Sequence, residues 1–195
     1  MINNNNFDII KLLSIITNII LIKISAKRLT ISSFKKYHIT KKYLGWINDK
    51  NNLRFSRHKK IYYNKKKALS FYRKITLGKN LFLCIKDNRT KKLIGTMIAY
   101  LDQNRNEANI GIMIGDKKIS DKGYGYEAFS NLQKYLKKKL NVKLLTAGVN
   151  SNKNFKMIKL AKKLNMKFIY KKKNKKINYF GKTYDGTILF VKKIT

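Results

Sequence analysis

The sequence contains no proline, one cysteine and few acidic residues, and these shortages exclude several classes of protein. Its 195 residues include 9 Asp and Glu against 46 Lys and Arg, so the formal net charge is +37 at pH 7. A single cysteine, Cys84, cannot form a disulfide within the chain. Because Cys84 lies in an apolar run with no His nearby, we predict a buried core thiol. His38 and His58 have no Cys or carboxylate at ligand spacing, so we predict no metal site.

The excess of positive charge attracts polyanions, but it does not define a binding face. Only six of the 46 cations are Arg, the better reader of bases, and Lys is spread along the whole chain. We interpret the charge mainly as compositional drift, since a chain crowded with Lys, Asn and Ile is typical of AT-rich coding sequence. We therefore expect no dedicated nucleic-acid partner, although a basic nucleic-acid- or ribosome-binding module remains an alternative.

The N-terminal residues 7–24 are mostly apolar, yet they do not match a membrane span or a signal peptide. Only 11 residues separate Lys11 from Lys23, whereas a spanning helix needs about 20 apolar residues. The start is Asn-rich and contains Asp8, unlike the basic start of a signal peptide. We predict that residues 1–24 are an apolar extension, that residues 25–195 form one domain, and that the protein is cytoplasmic without a transmembrane span.

The spacing of apolar residues predicts an α/β fold with a mixed, largely antiparallel sheet. Predicted strands cover residues 27–34, 81–85, 93–101, 110–114, 143–149, 166–170, 178–179 and 187–191. Predicted helices cover residues 39–49, 64–77 and 154–164, and one further helix includes residues 128–140. The strands at 110–114 and 143–149 flank that further helix in a βαβ crossover, so they should be parallel.

A glycine-rich loop joins the strand at 110–114 to its helix and predicts an anion site. Gly123 and Gly125 allow a ligand to approach the backbone, and the unpaired amides of the first helical turn face a phosphate. The spacing is neither that of a dinucleotide-binding fold nor that of a P-loop. A tight turn that needs two glycines is the alternative.

Five segments lie in the order found in the GNAT acyl-CoA N-acetyltransferases. They are residues 27–31, 43–49, 92–95, 110–115 followed by 122–128, and 149–154 followed by 163–165. The chain from about residue 25 to residue 191 resembles this family. The resemblance is greatest to the branch of ribosomal-protein N-terminal acetyltransferases and amino-sugar N-acetyltransferases. It implies the GNAT-like acyl-CoA N-acyltransferase fold, acetyl-CoA as acetyl donor, and no metal.

The resemblance also implies which residues hold acetyl-CoA. The pyrophosphate would meet backbone amides of the loop and helix start, the pantetheine arm would pair with the strand edge, and a residue beyond the next strand would bond the arm. These cofactor-binding residues are, in that order, Lys122, Gly123, Tyr124, Gly125 and Tyr126, then Ile112, Met113 and Ile114, then Asn154.

The chain departs from the family pattern at four positions. Ser120 stands where the signature often has Arg or Gln, and Asn109 stands where relatives often have a Glu base. Ala161 replaces a Tyr that serves as proton donor in many relatives. Asn165 replaces a Gly, which is tolerable because Asn accepts the left-handed conformation of a helix cap.

Catalytic candidates must then come from other positions. Strand alternation places Glu107 on the same side as Asn109, which makes it the leading candidate for the base. Tyr184 and Asp185 are candidates to assist, with a packed aromatic and a turn residue as their structural alternatives.

The resemblance implies direct attack of a neutral primary amine on the acetyl thioester. The amine acceptor is a small molecule such as an amino sugar, or a protein N-terminus, and the oligomeric state stays open. Two other classes remain: an acetyl-CoA-binding protein that has lost catalysis, and the basic ribosome- or nucleic-acid-binding module.

Overall fold

The computed structural model describes residues 22–54, 61–78, 80–149, 153–170, 176–179, 182–185 and 188–194. Its strands are β1 (Lys23–Ser25), β2 (Leu29–Ser33), β3 (Leu81–Asp87), β4 (Leu93–Asp102), β5 (Glu107–Ile114), β6 (Leu144–Val149), β7 (Lys167–Tyr170), β8 (Lys176–Tyr179), β9 (Lys182–Asp185) and β10 (Ile188–Lys193). Its helices are α1 (Lys41–Asn48), α2 (Lys50–Leu53), α3 (Lys65–Leu77), α4 (Tyr124–Leu140) and α5 (Phe155–Lys163). Within these ranges, no helix combines the length and the apolar character needed to cross a bilayer.

Eight of the strands form one sheet in the order β1-β2-β3-β4-β5-β6-β10-β7, and β8 pairs with β9 separately. Strands β5 and β6 are parallel, and the other pairs are antiparallel. The predicted mixed, largely antiparallel sheet with a βαβ crossover is therefore confirmed, with α4 as the crossover helix.

Each face of the sheet has its own hydrophobic core. On β3, Leu81, Leu83 and Ile85 belong to a cluster with α4 and α5, whereas Phe82 and Cys84 belong to a cluster with α1 and α3. This division follows from strand alternation, because successive side chains point to opposite faces. Cys84 is fully buried, which confirms the prediction of a core thiol.

The sheet begins earlier than the sequence predicted. Ile22 is buried and β1 starts at Lys23, both before the predicted domain start at residue 25. Strand β1, strand β9 and the four-residue α2 were not predicted, because elements this short show too little periodicity. The prediction for residues 1–21 lies outside the described residues, and the domain division stays a prediction.

Candidate active site

The parallel strands β5 and β6 are paired at one end only. Their register covers Glu107 to Asn109 on β5 and Leu144 to Thr146 on β6. Both strands continue beyond it, to Ile114 and Val149. Residues 110–114 therefore border a gap in the sheet, which opens towards the C-terminal ends of the two strands.

The backbone of β5 turns alternate residues towards this gap. Asn106 lies on the β6 side, since its carbonyl accepts hydrogen bonds from Lys143 and Leu144 amides at 2.8 and 3.2 Å. Gly115 lies on the β4 side, since its amide donates to the Ile94 carbonyl at 3.0 Å. Alternation between these two positions directs the N–H and C=O groups of Ile112 and Ile114 into the gap.

Met113 differs from its two neighbours. Its carbonyl lies against Gly95 of β4, where there is no room for a Cβ. Of the three strand residues predicted to pair with a pantetheine arm, Ile112 and Ile114 thus offer backbone groups to the gap. The backbone of Met113 faces the neighbouring strand instead.

Helix α4 begins beside the same strand edge. Gly123 is its N-cap with a left-handed φ of 81°, a conformation that favours glycine. The first bond of the helix runs from the Glu127 amide to the Gly123 carbonyl at 3.1 Å. The amides of Tyr124, Gly125 and Tyr126 precede that bond and have no partner within the helix. A Cβ on Gly125 would lie 3.8–3.9 Å from the Ile114 and Ile112 side chains, so the helix start adjoins the gap.

Arg28 holds this helix start in place. Its backbone amide and its Nε donate to the two carboxylate oxygens of Glu127 at 2.7 and 2.6 Å. Its Nη1 donates to the Lys122 carbonyl at 2.8 Å, and its guanidinium lies 4.5 Å from the centre of the Tyr124 ring. One Arg between β1 and β2 thereby fixes both sides of Gly123. In the sequence, only the rarity of Arg and the acidic residue in the first turn of α4 pointed to this role.

Tyr124 is fixed from its other end. Its hydroxyl donates to Asp87 Oδ2 at 2.7 Å, and Asp87 Oδ1 accepts from the backbone and hydroxyl of Thr90. The Thr90 amide and then the Tyr124 hydroxyl lower the pKa of Asp87 to about 2. The hydrogen bond to this carboxylate raises the pKa of Tyr124. Tyr124 therefore covers the loop as a neutral phenol.

The start of α5 adjoins the same loop. Asn154 caps α5, and its Oδ1 accepts a hydrogen bond from the Met157 amide at 3.2 Å. Lys156 reaches back with its Nζ at 2.7 Å from Ser120 Oγ and 2.8 Å from Asp121 Oδ2. The bond to Lys156 lowers the pKa of Asp121. The sequence has no cation at position 120, but the folded chain places the ammonium group of Lys156, on α5, beside Ser120.

The face of β5 that lies away from α4, on the side of the sheet with α1 and α3, carries polar groups and open space. Asn109 Nδ2 donates to Thr146 Oγ1 at 2.9 Å, at the point where the two strands separate. Tyr100 of β4 is the register partner of Asn109, so the two share a face. Two residues further along β5, a Cβ on Gly111 would meet nothing within 4 Å. This side of the gap, on the sheet face that carries α1 and α3, is therefore open at Gly111.

Helix α1 is fixed to the end of β5 by close packing. A Cβ on Gly115 would collide with the Trp46 indole, which is 8% exposed. Thr40 caps α1 by accepting a hydrogen bond from the Tyr43 amide at 3.2 Å. Trp46 and Tyr43 are both buried in the core of this face.

Of the three predicted catalytic residues, the described structure places only the side chain of Glu107, so this set stays a prediction. Glu107 shares a face with Asn109 and Gly111, but it lies at the closed end of the gap, roughly 13 Å along the strand from Gly111 at about 3.3 Å per residue. Tyr184 and Asp185 lie on β9, and their side chains are outside the described part of the chain. Sequence reasoning missed Thr146 and Tyr100, which show their place only through the strand register.

Two other sequence expectations concern the end of α5. Asn165 has a φ of 54°, which confirms the left-handed cap predicted for it. Ala161 is fully buried in the core of the α4 face. Among the residues that the structure describes, no group of three or more His, Cys, Asp and Glu could hold a metal ion.

A half-open parallel strand pair with two helix starts at its open end is the geometry of an α/β protein that can hold an extended anionic ligand along a strand edge. The family model described as acetyltransferase (GNAT) domain matches residues 28–167. The chain therefore belongs to the GNAT acetyltransferase family.

Solved structures share the fold at low sequence identity. RimL, a ribosomal alpha-N-protein acetyltransferase in complex with coenzyme A, has a TM-score of 0.74 at 11% identity, covering 89% of this chain and 98% of that one. The microcin self-immunity acetyltransferase MccE, in complex with acetyl-CoA and AMP, has a TM-score of 0.69 at 21% identity, with coverages of 87% and 94%. Spermidine N-acetyltransferase from Vibrio cholerae, in complex with CoA and spermine, has a TM-score of 0.69 at 16% identity, with coverages of 85% and 95%. No curated protein sequence matches the chain.

Proposed function

We propose that this GNAT protein transfers the acetyl group of acetyl-CoA to a primary amine of a small molecule or a protein N-terminus. The observation that carries the proposal is the continuity between the free edge of β5 and the unpaired amides at the start of α4. Such an edge binds an extended amide-bearing chain as an added strand, and a helix start binds the phosphates at its end.

The residues present fit acetyl-CoA. Ile112 and Ile114 would pair with the pantetheine arm, and Met113 would line it as part of the strand. The loop and helix start (Lys122, Gly123, Tyr124, Gly125 and Tyr126) would hold the pyrophosphate through backbone amides. Asn154, fixed by its capping bond, would donate its Nδ2 to an arm carbonyl across the gap.

Acetyl-CoA supplies a thioester: as the amine nitrogen forms its bond to the acetyl carbon, the carbon–sulfur bond breaks and coenzyme A leaves as the thiol. Backbone N–H groups that β5 directs into the gap would stabilise the carbonyl oxygen during attack. The amine would enter from the open side above Gly111, where Asn109 Oδ1 could accept a hydrogen bond from one of its N–H groups.

Proton removal in this site would pass through water. Glu107 shares the face of Asn109 but is too far along β5 for direct contact with an amine above Gly111. We therefore assign Glu107 the role of a remote proton acceptor, with Tyr184 and Asp185 as further candidates to assist. On this assignment Glu107→Gln lowers kcat less than tenfold, because an ordinary water can replace a remote acceptor.

Calorimetric titration with acetyl-CoA tests the cofactor site. Gly123→Asp strains a left-handed position and adds a negative charge at the helix start, so we expect acetyl-CoA affinity to fall at least a hundredfold. Gly45→Asp on α1 makes the same change of charge where a Cβ has open space, and it should bind like the wild type. Equal affinities for the two variants would place the cofactor elsewhere.

Thiol release with amine acceptors, measured in the same preparations, tests turnover. Salt-tolerant binding of acetyl-CoA together with thiol release supports the proposed acetyltransferase activity. Binding without thiol release from any amine would establish a protein that has lost catalysis. Binding that disappears in 0.5 M salt for every variant would leave only the net charge as its cause.

A further inference from the structure

The chain has few carboxylates, and most of those described are engaged within the protein. Of the nine Asp and Glu, six contact a neighbouring side chain. These pairs are Asp49 with Lys117, Asp87 with Tyr124, Asp102 with Arg105, Asp116 with Lys42, Asp121 with Lys156 and Glu127 with Arg28. Glu107 also has an interaction partner and lies at the closed end of the gap, and Asp8 and the Asp185 side chain are outside the described residues. A cationic substrate would find few partners here.

The helices on the same face of the sheet as Asn109 and Gly111 carry mostly positive charge. Within residues 41–54 and 61–78 the cations are Lys41, Lys42, Lys50, Arg54, Lys65, Lys66, Lys67, Arg73 and Lys74. The acid in these ranges is Asp49, and Lys117 of the loop after β5 contacts it at 2.7 Å. This field favours anions and disfavours ammonium ions.

The polar group at the point where β5 and β6 separate cannot take a proton. Asn109 is a neutral amide, and its bond to Thr146 fixes its orientation. Tyr100 faces it from β4. The carboxylates on this face of β4 and β5 are Asp102, paired with Arg105, and Glu107, both at the closed end. An ammonium group above Gly111 would have no carboxylate beside it among the described residues.

We infer that the acceptor is an anionic molecule whose amine has a low pKa, such as a phosphorylated amino sugar or the N-terminus of an acidic peptide, and not a polyamine or a lysine side chain. This inference rests on the proposed acetyltransferase activity and specifies its substrate class. The cations attract the anionic part of the molecule. The amine arrives largely neutral and needs no adjacent base.

The difference in free amine is large. At pH 7 an α-amine with a pKa near 7.7–8.0 is about 9–17% neutral, whereas an alkyl amine with a pKa near 10.4 is about 0.04% neutral. Without an adjacent base, the alkyl amine therefore presents roughly 300-fold less of the reactive form.

Matched acceptors at saturating acetyl-CoA test the inference. We would compare glucosamine 6-phosphate with glucosamine, a peptide with Asp at positions two to four with the same peptide carrying Lys there, and spermidine. We expect kcat/KM to be at least tenfold higher for the phosphorylated sugar or the acidic peptide than for its uncharged or basic counterpart, and at least a hundredfold higher than for spermidine. The preference should shrink between 0.05 and 0.5 M salt, and the acid limb of the pH profile should follow each acceptor's own pKa. Comparing the preference within the sugar pair with that within the peptide pair shows whether the acceptor is a sugar phosphate or a peptide.

The shift of the unfolding midpoint by each acceptor in the presence of coenzyme A gives a second readout, which does not need turnover. Glucosamine 6-phosphate or the acidic peptide should raise the midpoint more than inorganic phosphate at equal ionic strength, and spermidine should not raise it. Asn109→Asp adds a carboxylate of the same shape where the strands separate, and it should improve kcat/KM for spermidine relative to the anionic acceptors at least tenfold.

Several results would overturn the inference while leaving the acetyltransferase intact. One is a higher kcat/KM for spermidine or the basic peptide than for the anionic acceptors. The others are an acid limb of the pH profile that is the same for all acceptors, and an unfolding midpoint that spermidine raises. Failure of acetyl-CoA to bind would overturn the proposed function itself.

Discussion

Arg28 is the residue whose removal most directly tests how the helix start binds phosphate. In Arg28→Ala, the Glu127 carboxylate at the first turn of α4 keeps its hydrogen bond from the backbone amide of residue 28 but loses the guanidinium at 2.6 Å, and its side chain is only 13% exposed, so its charge is no longer neutralised. If a bound pyrophosphate is taken to lie about 8 Å from this carboxylate, an uncompensated negative charge would cost roughly 1 kcal/mol for each phosphate charge at an effective dielectric constant near 40. Screening by salt over a similar distance leaves a total of about 1 kcal/mol, or a five- to tenfold weaker affinity.

Calorimetry with acetyl-CoA at 0.05 and 0.3 M salt measures this effect. Arg105→Ala is the matched control, because it removes the same charge from an exposed ion pair in the turn between β4 and β5. The double variant Arg28→Ala/Glu127→Gln removes the repulsion as well, so its affinity should return to within about threefold of the wild type. The free energy of unfolding should remain lower by about 1–2 kcal/mol in both Arg28 variants, discounted for the partial exposure of the guanidinium.

Two outcomes would refute this reasoning. Equal affinities for Arg28→Ala and Arg105→Ala would mean that the ion pair does not shape the phosphate site. A double variant as weak as Arg28→Ala would mean that Arg28 acts through loop geometry or direct contact, and not by neutralising Glu127.

Three further predictions concern the fold around the site. Gly115→Ala should lower the free energy of unfolding by about 1–3 kcal/mol in urea titrations because its Cβ meets Trp46. Gly111→Ala adds a Cβ in open space, so it should keep its stability within about 1 kcal/mol while it loses activity. Equal stability of the two variants would contradict the packing of Gly115 against Trp46. Burial, with Lys86 and Lys35, lowers the pKa of His38 from 6.5 to about 4, so protonation favours the unfolded chain and stability falls as the pH drops from 6.5 towards 4, by about 2 kcal/mol at pH 5. His38→Gln should flatten that slope, and an unchanged pH profile would show that His38 titrates normally. Leu132→Ala should lower the free energy of unfolding by about 2–5 kcal/mol because this side chain of α4 is fully buried in the core, and a loss below 1 kcal/mol would show that α4 is not firmly packed.

Local patterns were sufficient to predict the long elements. The 17-residue α4 and the eight-residue β5 show their period in sequence, and the crossover rule makes β5 and β6 parallel. Asn154 and Asn64 were predictable as helix starts because their side chains accept bonds from the amides three residues on. The three-residue β1 was missed because its pairing with β2, and not its own pattern, makes it a strand.

The sequence by itself determined the family and the loop that starts α4. Gly123 is a local necessity of a left-handed helix start, and the order of motifs around it is a property of the chain. The tertiary structure decided what surrounds that loop. Arg28 meets Glu127 across 99 residues, Lys156 reaches Ser120 across 36, and Asn109 meets Thr146 across 37. Such contacts depend on sheet register and helix packing, which no local pattern encodes, so the sequence could indicate an anion site but not which side chains build it.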